Sequence, residues 1–235
     1  MIRMAAGSVM AGAITLLVGG AASAAPMLGQ VDTFQDGTTG GWTVALLGEA
    51  HPLPPLNEGG GKEGPDDRYL LLTSHGAVGP GSKLSAANLE PRWTGNYLAA
   101  GITAITMDVI NFGPTDLYLR FGFEDPTTGP PENIAFSDAA YLPAGSGWTR
   151  IQFLVGPSHL TAALGSVAAA LSNTTAVRLY HSDIPNFPNP FQPVPAIMAQ
   201  LGVDNIQATR VPEPVTTTLF GLALAAVAAR RRALG

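Results

Sequence analysis

The chain has 235 residues, 12 basic against 17 acidic, 28 glycines, 20 prolines and no cysteine. That length allows one large domain or two small ones, and the turn-forming composition suits a β-protein better than a helical bundle. The missing cysteines exclude disulfides, zinc–thiolate and iron–sulfur sites and a thiol nucleophile.

In chain order, the first 24 residues read as a secretory signal peptide. Arg3 supplies the positive start, Ala11 to Val18 the apolar centre, and Ala22-Ser23-Ala24 a small-residue cleavage site, with Pro26 just beyond. The body, 25–210, shows no internal repeat and reads as one domain. Short apolar or alternating runs bounded by Gly, Pro, Asn and Asp predict strands at 31–34, 42–47, 68–73, 102–110, 116–123, 134–141, 148–155, 176–182 and 201–209. In DLYLRFGF, Leu117, Leu119, Phe121 and Phe123 share one face, while Tyr118 and Arg120 share the other. One helix is predicted within 158–172, capped by Ser158, with Leu160, Leu164, Val167 and Leu171 on one side. Stretches 48–66, including NEGGGKEGPDD, and 183–198 read as loops. The expected fold is all-β, a single β-sandwich or jelly roll with one short helix.

The chain ends on VPEPVTTTLFGLALAAVAARRRALG. Val215 to Ala229 carries no charge; as a helix it would reach ~22 Å, short of a ~30 Å hydrocarbon core. Pro212 and Pro214 forbid helix upstream, and Arg230, Arg231 and Arg232 favour the cytoplasmic side. A Pro-Glu-Pro, a short apolar helix and a terminal arginine cluster, in that order, resemble the PEP-CTERM sorting signal of Gram-negative bacteria. The resemblance implies that 211–235 is a transient inner-membrane anchor with one transmembrane helix. It also implies export by Sec machinery and signal peptidase, and processing by an exosortase that reads Pro212, Glu213 and Pro214. The destination implied is the cell surface, outer envelope or extracellular matrix.

Of the basic residues, Arg3 and the three terminal arginines lie in these signals, as does Glu213, leaving eight basic against 16 acidic in the rest. A body that acidic repels phosphates, so no nucleic-acid partner is expected.

DTFQDGTTGGW (32–42) followed by DDRYLLLTS (66–74) and closed by LGVDNIQAT (201–209) resembles jelly-roll modules related to laminin B and to carbohydrate-binding modules. The resemblance implies first and last strands side by side, often sharing a structural calcium. Asp204 would supply a carboxylate, and Thr33 or the 48–66 loop carbonyls; Gln35 stands where relatives often carry an acid. Calcium is a hard cation that takes several such oxygens.

Sugar binding would use exposed aromatic faces with polar groups beside them. Trp93, Tyr97 and Tyr118 are the candidates, Trp93 dividing evenly between core and surface, while Trp42 and Trp148 open apolar strands and read as core. Nothing reads as catalytic. His51, His75, His159 and His181 have no metal-binding spacing, Glu124-Asp125 and Asp66-Asp67 read as solvated turns, and nucleophile elbow, phosphate loop and dinucleotide fingerprint are missing. The expected function is a non-catalytic surface or matrix protein associated with exopolysaccharide. The alternatives are a secreted polysaccharide hydrolase, which needs a cleft with two carboxylates, and a purely structural adhesion module.

Overall fold

A computed structural model describes residues 25–44, 53–76, 81–125, 131–187 and 196–211. The signal peptide, Pro212–Pro214, the apolar tail and Arg230–Arg232 lie outside the described residues. Among the described residues no helix is long and apolar enough to cross a membrane.

Two antiparallel sheets face each other. Sheet A is built from β1 (Val31–Asp32), β3 (Leu56–Gly61), β4 (Gly64–His75), β6 (Ala104–Asn111), β10 (Thr149–Leu154) and β13 (Met198–Thr209), in the order β10-β6-β13-β4-β3, with β1 also on β13. Sheet B is built from β2 (Trp42–Thr43), β5 (Ser85–Asn88), β7 (Leu117–Asp125), β8 (Asn133–Ser137), β9 (Ala140–Leu142), β11 (Leu160–Leu164) and β12 (Ala176–His181), in the order β11-β8-β7-β12-β5-β2, with β9 also on β7. The expected neighbouring of first and last strands is present: Val31 pairs with Gln207 and Asp32 with Ile206.

Alternation decides which side chains meet between the sheets. Leu117, Leu119, Phe121 and Phe123 of β7 are fully buried against Leu70, Ile105, Met107 and Val203 of sheet A in one continuous core.

A buried carboxylate ties the first strands together. Asp32 Oδ2 accepts the indole N–H of Trp42 at 3.0 Å and that of Trp93 at 2.9 Å, and Oδ1 meets Arg92 at 2.6 Å. Phe34 follows in the left-handed region at φ 59°, turning the chain towards Gly40. Gly40 itself has φ 61°, a conformation that favours glycine, and a Cβ there would stand 2.9 Å from the Arg92 guanidinium and push it aside.

Three expectations change. The helix predicted within 158–172 divides into β11, which pairs with β8, and α2 (Val167–Ser172). Gly165 at φ 60° ends the strand, and the cap is Ser166, whose hydroxyl accepts the Ala169 N–H, in place of Ser158. The NEGGGKEGPDD loop is instead a hairpin, with Gly61 paired to Gly64 around Lys62 and Glu63. Its glycines at 60 and 64 adopt positive φ, which lets the turn close. Glu124 and Asp125 lie in β7, 4% and 7% exposed, because Arg178 and Asn173 reach them at 2.9 and 2.6 Å. A second helical turn, α1 (Tyr97–Ala100), capped by Asn96, was not expected from the sequence.

Asp32→Ala leaves two buried indole N–H groups without their acceptor and removes the carboxylate paired with Arg92. It is expected to cost about 3–5 kcal/mol in urea unfolding, with Asp32→Asn intermediate because one acceptor oxygen remains. Equal stability of Asp32→Ala and the parent would overturn the anchoring role.

Candidate functional site

The structure separates the three aromatic candidates. Trp93 and Tyr97 are fully buried. The turn before α1 points the Trp93 indole inward to Asp32, and the Tyr97 hydroxyl donates to the Trp93 carbonyl at 2.8 Å. Burial raises the Tyr97 hydroxyl well above its ordinary pKa. Neither ring has a face left for a ligand, so both are corrected to core. Trp42 is core as expected. Trp148 is not: it stands half-buried on the outer face of sheet A, edge-on to Tyr69 at 5.5 Å.

Tyr118 is exposed, and the fold gives it a partner. Residues 134–141, read as one strand, break into β8 and β9, and both pair with β7. Tyr141 of β9 is thereby set directly opposite Tyr118, with ring centroids 5.3 Å apart and exposures of 52% and 36%. The Tyr141 hydroxyl donates to Asp116 Oδ2 at 2.9 Å, and Asp116 Oδ1 accepts the Ala144 N–H at 2.9 Å. Those bonds, the backbone one foremost, hold the Asp116 carboxyl below its usual range. On the other side, the Tyr118 N–H donates to His181 Nδ1 at 3.0 Å. Burial lowers the His181 pKa, keeping the ring neutral and Nδ1 free to accept. Two phenol faces are thus fixed by strand pairing, with an ionised carboxylate at their edge.

Further along the same outer face the side chains are charged yet covered. Arg178 meets Glu124 at 2.9 Å, and Arg120 donates to the carbonyls of Ser182 and Ser137, each at 3.1 Å. The Phe187 ring lies over this row, 5.5 Å from the Arg178 guanidinium. Gly122 makes room for it, since a Cβ there would come within 2.6 Å of the ring. Among the described residues, the Tyr118–Tyr141 end of the face is left open.

Asp108 and Asp204 are cross-strand partners, but they are 2% and 1% exposed, and the Asn205 amide donates to both, at 3.1 and 3.0 Å. Burial, with Asp67, Asp108 and Glu63 close by, pushes the Asp204 carboxyl up to about 7. A glycosidic bond has no access to two carboxylates buried in this way.

The residues expected to bind calcium, Thr33 and Asp204, are each engaged by protein donors. Among the described residues no group of three or more His, Asp or Glu side chains is placed to hold a metal. Asp204 is engaged by the Asn205 N–H at 2.7 Å as well as by its amide. The Thr33 carbonyl accepts instead from Gln35 Nε2 at 3.2 Å, and the same nitrogen donates to Asp67 Oδ1 and to the Arg68 carbonyl. An amide nitrogen draws together oxygens that a cation would otherwise gather.

No family model and no curated protein matches the chain. Solved structures do. It is similar to the family 11 carbohydrate-binding module from Clostridium thermocellum in complex with a β-1,3-1,4-mixed-linked tetrasaccharide, with TM-score 0.53 and 14% identity over 80% of this chain and 99% of that one. It is also similar to the family 11 module of the cellulosomal cellulase Lic26A-Cel5E of the same organism, with TM-score 0.52 and 11% identity over 81% and 99%. At such identities the likeness is one of fold: a jelly-roll β-sandwich.

Removing divalent ions with EDTA is expected to leave the thermal midpoint of the parent unchanged. Gln35→Glu sets a carboxylate against Asp67, so it should lower the midpoint and make it rise again with added calcium. A calcium-dependent midpoint in the parent would refute the amide's role.

Proposed function

We propose that the protein is a non-catalytic polysaccharide-binding module that is exported and sorted through its C-terminal signal. The Tyr118–Tyr141 platform is the observation that carries the binding. Aromatic faces stack on the apolar C–H face of a pyranose, and Asp116 beside them accepts sugar hydroxyls. Strand pairing fixes both rings before a ligand arrives, which lowers the entropy cost of binding. The fold, shared with a module solved with a bound tetrasaccharide, supports the same reading. Burial of Asp108 and Asp204, and the engagement of Glu124 by Arg178, weigh against the hydrolase alternative. The sequence features at the two ends support delivery to the cell surface or matrix, with Pro212, Glu213 and Pro214 read by an exosortase.

Affinity electrophoresis of the full-length protein in soluble β-1,3-1,4-glucan and in exopolysaccharide tests the binding. Tyr141→Ala and Tyr118→Ala are each expected to weaken retardation by about tenfold, the scale of one lost anchor. Retardation that neither substitution alters would remove this platform as the site. Separately, mass spectrometry of envelope material is expected to find chains ending before Arg230. Mature protein that still carries Gly235 would rule out processing.

A further inference from the structure

The outer face of sheet A carries a second aromatic surface that the sequence did not suggest. Strand register sets Gly202 of β13 between Leu71 of β4 and Ile110 of β6. The Tyr69 ring leans over Gly202, where a Cβ would meet it at 3.1 Å. On either side of Tyr69 stand Phe112, with centroids 6.0 Å apart, and Trp148, at 5.5 Å. Phe112 is 46% exposed and Trp148 half-buried, so the central ring is pinned and the outer two open to solvent.

A fixed polar row borders this band. Buried Asp108 lies across the strands from Arg150, and Arg150 NH1 approaches its Oδ2 at 3.6 Å. Arg150 NH2 donates to Thr106 Oγ1 at 2.8 Å and Gln207 Oε1 at 3.2 Å. Lys62 stands 3.3 Å from Asp108 Oδ1, an oxygen that accepts no hydrogen bond of good geometry. Long surface cations ordinarily wander, and these two are held over a buried carboxylate while their heads remain in water. The surface therefore offers an apolar band of rings with positioned donors along one edge. That combination complements a hydroxylated ring with one apolar face; a purely apolar partner would strip water from Arg150 and Lys62 without replacing their hydrogen bonds.

We propose that the Phe112–Tyr69–Trp148 band, with Arg150 and Lys62, is a second glycan-binding platform. Because it lies on the opposite outer face from Tyr118 and Tyr141, one molecule bridges two polysaccharide chains. The bridging rests on the binding proposed above, and the second platform stands on its own geometry. Two weak sites on one body also raise retention in a multivalent matrix without any new contact.

The test is a sandwich assay on the full-length protein, monomeric by sedimentation. Protein is bound to immobilised β-1,3-1,4-glucan and then offered fluorescent soluble glucan. The parent is expected to capture the second chain. Trp148→Ala and Phe112→Ala, checked for an unchanged thermal midpoint, should still bind the immobilised glucan but lose capture by about tenfold. Tyr141→Ala should do likewise through the other face. A parent that binds but captures nothing overturns the bridging, and loss of that binding in Tyr141→Ala or in Trp148→Ala then names the platform that stands; a Trp148→Ala, Phe112→Ala double variant that captures as the parent does overturns the second platform and leaves the first standing. If Tyr141→Ala changes nothing while Trp148→Ala abolishes binding, the second platform stands and the first falls. A parent with no affinity for either glucan or exopolysaccharide overturns both.

Discussion

A single carboxylate without solvent organises the start of this domain. Asp32 belongs to the strand paired with the last one, and its acceptors hold the indoles of Trp42, in sheet B, and Trp93, in the turn before α1. Burial pushes its carboxyl pKa up, against the lowering effect of the indoles and Arg92. The group is therefore not there for a large electrostatic gain. Its weight lies in the alternative, because removing it strands two indole N–H groups where water cannot reach them. Trp42 then packs at 6.3 Å against both Trp93 and Phe121, so the hydrogen bonds at Asp32 also set the ring packing between the sheets.

Once the inner faces are committed to the core, chemistry is left to the two outer ones, and the domain treats them differently. On sheet B, Arg120, Glu124 and Arg178 lie beneath Phe187, while Tyr118 and Tyr141 at one end of that face are open. On sheet A, the acidic row is closed by its own cations and an asparagine amide, while the aromatic band beside it faces solvent. In both places carboxylates are used to position other groups.

Much of the strand pattern was legible because alternation is a local property. Leu117 to Phe123 announces a half-buried strand without any knowledge of its neighbours. The failures have a different origin. LTAALGSVAAALS has helical spacing throughout, yet β8 offers its first half an open edge and Gly165 stops any helix from running through. NEGGGKEGPDD has no apolar periodicity, and only its pairing partners in β4 make it a strand. Exposure of the aromatics was the least legible property. Trp93 sits in a polar stretch and is buried because Asp32 awaits it; Trp148 opens an apolar strand and is half-exposed because it flanks the core side by one residue.

The sequence alone determined an all-β class, the alternation of the central strands and the acidic character of the body, because these follow from residue type and spacing along the chain. Only the tertiary structure decided that Tyr141 stands opposite Tyr118, that Phe112 and Trp148 flank Tyr69, and that Asp108 and Asp204 are closed to solvent. Each depends on which strands lie side by side and in what register. A one-residue shift in pairing would send those side chains to the other face without changing a single letter.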